Sequence, residues 1–387
     1  MGGVPWRRLR FAAPPTPQRS GVGDFRKSSY APLDAICATP AGGAGVARSA
    51  GIFRRVSNLA RANMKTRITE LLGTRYPIVE GGMQWIGRAK LAAAVSNAGA
   101  LGMITARTQR TPDDLRREID RTRELTDKPF GVNLTLSLTN TDVTYDDWVD
   151  AIVASGVQIV ETAGNNPKPV ITAFKEAGLK VIHKCTAVRH ALSAERMGVD
   201  VISIDSFEAA GHMGEGDVGS MVMIPATVQA VKIPVIASGG IWGGRAIAAA
   251  LALGADGVNI GTRFALTQEC ESHDNVKQAL LKGNEHSTIL LKRTLKRSAR
   301  YFRNEAAEQV LAMELRPGGA TYDDLAPLLA GERGRKVLET GDVPSGLIGA
   351  SQAIAMIDDI PACQELVSRM MAECRTALCE TLARFDD

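Results

Sequence analysis

Short apolar runs ending in small residues recur along this chain, with helix-periodic stretches between them. Eight such runs stand out: Pro77–Met83, Ala100–Thr105, Phe130–Thr135, Ile159–Gly164, Lys180–Thr186, Val201–Ser206, Val235–Gly240 and Gly257–Phe264. Their spacing of roughly 20 to 32 residues suits strand–helix repeats in a parallel sheet. Ala89–Ala98 has helical patterning after the first run, and Thr111–Arg121 after the second. The latter opens with Thr111 as N-cap, Pro112 at the first helical position and early acids, an ordinary helix start. The last two runs, Val235-Ile-Ala-Ser-Gly-Gly240 and Gly257-Val-Asn-Ile-Gly-Thr-Arg-Phe264, both break in glycine. As the final two of eight βα units, such turns form the phosphate-binding face of a barrel. Glycine lets the backbone approach the anion with its amides aimed at it. The predicted fold class is α/β, a TIM (β/α)8 barrel with an additional α-helical cap domain. An open doubly wound sheet is the alternative.

Length and charge divide the chain further. A barrel of about 250 residues leaves room for an accessory piece. Residues 64–270 are read as the barrel, completed by about 340–360, with 271–339 as a helical cap and 361–387 as C-terminal helices. Leu291–Arg303 carries six basic residues, but Leu290, Leu291, Leu295 and Ala299 keep helical spacing. That stretch reads as a solvated basic helix face rather than a nucleic-acid surface. Residues 1–63 hold ten Lys/Arg against two acids and are rich in Pro, Gly, Ala and Ser. They read as disordered, and as either a transit peptide or sequence upstream of a natural start at Met64. The rest is mildly negative, so no nucleic-acid partner is expected. The apolar runs are too short to span a bilayer, so no membrane insertion is expected.

The six cysteines form no CxxC pair and no metal-ligand grouping with histidine. No metal is expected, and the expected compartment is reducing and cytoplasmic. The sequon at Asn133 falls inside a predicted strand. Gly214-Glu-Gly-Asp-Val-Gly219 matches the dinucleotide pattern, but Asp217 would repel a pyrophosphate and no acid follows from Val218 to Ala255. It reads as a loop after the sixth strand. At the predicted mouth, Gly81-Gly-Met-Gln84 can bring backbone and an amide against a flat ring. Lys184, at the end of the fifth strand, can stabilise a reduced anionic flavin. The phosphate is therefore read as that of FMN.

Gly81–Gly87, Val132–Thr135, Val160–Asn165, Val181–His190 and Ile236–Gly240 together resemble the nitronate monooxygenase (2-nitropropane dioxygenase) family. Within it the chain looks closest to FMN-dependent NADH:quinone reductases, from about Met64 to near the C-terminus. The resemblance implies FMN contacts at Gly82, Met83, Gln84, Thr135, Lys184, Ala210, Ser238, Gly239, Gly240, Gly261 and Thr262. It also implies a catalytic role for His212, as a base on carbon in nitronate oxidation or as a partner of the quinone oxygen. His183, His190, His273 and His286 read as structural or exposed. The Glu161-Thr-Ala-Gly-Asn165 segment favours the reductase, with NADH as co-substrate and Lys184 and His212 as the catalytic pair. Nitronate oxidation with oxygen, a flavin-dependent enoyl-thioester reductase and a non-catalytic flavin-binding sensor or partner protein are the other readings. The physiological acceptor, the choice of NADH or NADPH, and the oligomeric state (a homodimer included) are left open by the sequence.

Overall fold

All eight apolar runs form strands in the computed structural model, which describes residues 64–136, 144–165 and 167–385. They are β1 (Ile78–Glu80), β2 (Gly102–Thr105), β3 (Phe130–Leu136), β4 (Ile159–Gly164), β5 (Lys180–Cys185), β6 (Val201–Asp205), β7 (Val235–Ser238) and β8 (Gly257–Ile260). Every neighbouring pair is parallel, and the order runs β1-β8-β7-β6-β5-β4-β3-β2. A bridge between Val79 and Leu101 joins the two ends, with Glu80 N–H donating to the Leu101 carbonyl at 2.8 Å. The sheet is thereby a closed barrel, and the open doubly wound alternative is excluded.

The two-residue period of the strands sorts their side chains. Val79, Met103, Ile159, Ile182, Val201 and Ile236 belong to one buried cluster with Ile68 and Leu72 of the helix Arg67–Leu72. The alternate positions Val132, Val160, Val181, Ile202 and Val258 pack outward against the helices. Two residues beyond the inner apolar layer, the same alternation turns Asn133, Glu161, Lys184, Ser203, Ser238 and Asn259 inward. The barrel therefore has an oily floor and a polar storey above it.

The stretch Leu291–Arg303 corrects the expectation of a basic helix. It belongs to an antiparallel hairpin, β9 (Thr288–Leu291) and β10 (Ala299–Phe302), and β10 pairs with the short strand Gly211–His212 of the loop after β6. The apolar spacing at Leu290, Leu291, Leu295 and Ala299 fits a helix on paper. Pairing with a segment some 80 residues earlier overrides it, because local propensity is a weak prior. Arg300 is buried and donates to the Phe207 carbonyl at 2.8 Å and to Thr288 Oγ1 at 3.1 Å, so this cation tethers rather than solvates. Helices Glu305–Leu315, Tyr322–Leu329 and Gly331–Thr340 follow, and the first two share a core with the hairpin through Ile289, Leu291, Ala307, Val310 and Leu325. The last long helix, Cys363–Leu382, packs on Gly244–Ala252. Residues 1–63, expected to be disordered, lie outside the described residues. Among the described residues no helix is long and apolar enough to cross a membrane.

Phe174, fully buried in the helix Lys168–Glu176, is among the largest side chains of the outer core. Phe174→Ala should lower unfolding free energy by about 3–5 kcal/mol in chemical denaturation, through lost transfer energy plus a cavity.

Candidate active site

The polar storey is organised by one carboxylate. Glu161 on β4 is fully buried. Its Oε1 accepts from Asn133 Nδ2 at 2.8 Å and from the Gly82 amide at 3.1 Å, and its Oε2 from Asn259 Nδ2 at 2.7 Å. A buried charge is tolerable when hydrogen bonds satisfy it in this way. The Gly82 bond draws the loop after β1 down onto β3, where only glycine fits, since a Cβ on Gly82 would lie 2.2 Å from Asn133 Cγ. Met83 N–H donates to Thr105 Oγ1 at 2.9 Å, which pins the loop a second time. Gln84 is exposed beside it.

Lys184 stands on β5 with Nζ 3.0 Å from Asp205 Oδ1 and 3.4 Å from Ser238 Oγ. Burial opposes its charge, but Asp205 and then Glu161 outweigh burial, and the net shift is upward. Lys184 therefore stays an ammonium across the physiological range. Thr135 is exposed on β3 and donates to Asn133 Oδ1 at 3.1 Å.

Gly239 and Gly240 have φ of 98° and 74°, a left-handed pair that L side chains resist. The turn bends the chain so closely that a Cβ on Gly239 would sit 2.6 Å from Ser206 Oγ. Gly261 and Thr262 follow β8 next to it, with Met83 Sδ 3.5 Å from a Cβ placed on Gly261. Among the described residues the amides of Gly239, Gly240, Gly261 and Thr262 have no hydrogen-bond acceptor. Backbone donors of this kind, on neighbouring strand ends, match the needs of a phosphate. A flavin phosphate therefore fits the turn pair, with the Gly82–Gln84 loop and Lys184 on its inner side.

His212 and Ala210 lie on the loop after β6, which β10 holds in place. His212 Nε2 is 3.1 Å from Lys292 Nζ. Its pKa is pushed down to about 4, by loss of solvation around the ring, then by the charges of Lys292 and Arg297, against the pull of Glu215. The residue is still open to solvent, so the two cations are the firmer cause. Lys292 is buried, has φ of 62°, and places Nζ 5.4 Å from the centroid of the Tyr301 ring. Glu314 secures that strained residue by accepting from its backbone N–H at 2.7 Å. The other histidines have local tasks. His183 is buried on β5 with Nδ1 2.8 Å from Thr162 Oγ1, and burial, then the His190 charge, lowers it to about 4. His190 touches Thr186, His273 caps a helix, and His286 is on the surface.

The sequence profile of the nitronate monooxygenase family matches residues 65–373. This chain belongs to the nitronate monooxygenase family. A probable nitronate monooxygenase of Staphylococcus aureus is 32% identical over 290 residues, covering 65% of this chain and 81% of that one. The (3aS,4S,5R,7aS)-5-hydroxy-7a-methyl-1-oxo-octahydro-1H-indene-4-carboxyl-CoA dehydrogenase of Rhodococcus jostii is 30% identical over 346 residues, covering 81% and 96%. Among solved structures, FabK from Thermotoga maritima superposes with a TM-score of 0.77 at 35% identity, covering 83% of this chain and 99% of that one. As a member of this family the chain is an oxidoreductase.

Residue patterns alone missed four members of the site. Asp205, at the C-terminal end of β6, was findable as the acid nearest the level of Lys184. Glu161 was read only as part of a motif. Asn259 sat inside a phosphate-turn sequence. Lys292 gave no signal, because neither its left-handed backbone nor its partner is local.

Glu80, at the end of β1, is fully buried, with Oε2 accepting from the Met103 amide at 3.0 Å and Oε1 without a partner among the described residues. Burial raises its pKa well above the carboxylate range, the Met103 bond opposes that, and the Glu161 charge adds to it. The protonated form is favoured on folding, so its contribution is present at low pH and lost as pH rises through the raised pKa. Glu80→Gln should therefore gain stability over wild type between pH 5 and pH 8 in denaturant titrations. Parallel stability curves would show that Glu80 ionises normally.

Proposed function

We propose that this protein is an FMN-dependent NADH:quinone reductase. FMN bound at the barrel mouth would supply the hydride and two-electron chemistry that links NADH to a quinone. Lys184, fixed by Asp205, supplies a permanent positive charge where negative charge develops. The Glu161 network holds the loop that backs the ring, so orientation is set before substrate arrives. The amides of Gly239, Gly240, Gly261 and Thr262 would hold the FMN phosphate.

The observation that carries the reading is the Lys292–His212 contact. An ammonium has donors only, so His212 Nε2 must accept from it. The imidazole is then the Nδ1–H tautomer, an assignment made from this hydrogen bond. With Nε2 engaged, His212 offers a donor N–H and lacks a ready lone pair for pulling a proton from carbon. As Nδ1–H passes its proton to a quinone oxygen, Lys292 Nζ passes one to Nε2, so the imidazole stays neutral and Lys292 is the proton source. Oxidation of an alkyl nitronate is the second reading, favoured by the family and by a cation that could hold a nitronate anion.

The full-length protein loaded with FMN should oxidise NADH with benzoquinone and do so faster than it turns over propyl nitronate with oxygen. The reverse order would overturn the reductase reading. Because the Lys292 and Arg297 charges hold the His212 imidazolium below its ordinary pKa, kcat/KM for the quinone should show no inflection near pH 6.5. Lys292→Met should lower kcat with the quinone by about 10²-fold, the usual scale of a lost proton donor, while flavin content stays constant.

A further inference from the structure

We propose that the cleft between the Gly81–Gly87 loop and the helix Gly331–Thr340 binds the adenosine diphosphate half of the nucleotide donor and selects NADH over NADPH. This rests on the reading of the chain as an NADH-oxidising enzyme. The cleft has a volume of about 230 Å³ and is lined by Trp85, Arg88, Glu271, Arg335 and Glu339 among others. Trp85 follows Met83 by two residues, so the chain keeps their Cα atoms within about 8 Å. The cleft therefore opens beside the loop next to the phosphate turns, within reach of a dinucleotide whose nicotinamide lies at the barrel mouth.

The walls match a purine in spacing. The Arg335 guanidinium carbon lies over the Trp85 ring, 6.0 Å from its centroid. A planar base between two planes needs two contacts of about 3.5 Å, about 7 Å in all. Opening by about 1 Å thus admits adenine, stacked on the indole and covered by the guanidinium. Both walls are held from behind. Trp85 has φ of 69° and donates its N–H to Thr108 Oγ1 at 2.8 Å. Arg335 is paired with Glu332 and with Glu339, the latter at 3.4 Å. The start of the cap helix abuts the loop, with a Cβ on Gly331 falling 3.9 Å from both Gln84 Nε2 and Trp85 Cζ2.

Charge identifies the rest of the ligand. Arg88 donates through Nε to the Trp85 carbonyl at 3.3 Å, and its terminal nitrogens have no partner among the described residues. They are placed to take a pyrophosphate oxygen. Glu271 and Glu339 line the same cleft. Carboxylates accept from ribose hydroxyls and repel a 2′-phosphate, the basis of discrimination between the two nucleotides in other folds.

The test uses the full-length FMN-loaded protein with ADP-ribose as probe, followed by calorimetry and by competition with NADH. ADP-ribose should bind competitively with NADH. Arg88→Ala should weaken it about tenfold, the scale of one charge-assisted hydrogen bond. The exposed double variant Glu271→Gln/Glu339→Gln should narrow the preference for NADH over NADPH by about tenfold, through a fall in kcat/KM for NADH with flavin content unchanged. Absence of ADP-ribose binding, or binding and nucleotide preference unchanged in both variants, overturns the cleft while NADH–quinone activity persists. Failure to oxidise NADH while ADP-ribose still binds through Arg88 sinks the reductase reading and leaves the cleft standing.

Discussion

A single buried carboxylate, Glu161, ties the barrel to its chemistry. It collects donors from β3, β8 and the loop after β1, at 2.7 to 3.1 Å, in an interior where an unsatisfied charge would be costly. Those bonds convert a glycine-rich loop, flexible by composition, into a fixed wall. Its charge also reaches Lys184, helping Asp205 keep that side chain protonated against burial. The inner apolar layer below gives this polar layer a dry base, so each interaction above it acts at reduced dielectric.

The outer half of the mouth is built from distant sequence. The loop after β6 is closed by the Phe207 N–H to the Val218 carbonyl at 2.9 Å, and the hairpin fixes its far side by adding β10 to Gly211–His212. Ion pairing of Arg293 with Asp217, and the hydrogen bonds of Ser298 to Glu215, close the same contact. The hairpin also delivers Lys292 to His212 in a backbone conformation that a lysine adopts only at a cost, of order 1–3 kcal/mol. Strain held at a residue that touches the candidate catalytic histidine is where function is expected to override stability.

Much of this was legible in the chain because parallel barrels repeat locally. Apolar runs ending in glycine, twenty to thirty residues apart, specify strands and turns without reference to distant partners, and β7 and β8 with their glycine turns follow from that pattern alone. Lys184 was legible for the same reason, as a cation at a strand's C-terminal end. Leu291–Arg303 was not. Its strands have four residues each, too short for alternation to compete with an apparent helical period, and their pairing partner is far away in sequence. Glu161 was visible as a motif residue, but its role depends on three strands meeting at one height, which spacing along one strand cannot convey. Glu80 adjoins the same glycines, and nothing in the sequence announces that its carboxyl is sealed from water.

The most direct measurement is FMN affinity of the Glu161→Gln protein beside wild type, read by flavin fluorescence, with circular dichroism as the check on folding. A glutamine cannot accept on both sides, so either Asn133 and Gly82 or Asn259 loses its partner. The account predicts a folded variant that binds FMN at least about tenfold more weakly, as expected for a lost hydrogen bond to a charged group. Equal affinity in the two proteins, or a wild-type protein that takes up no FMN, would contradict it.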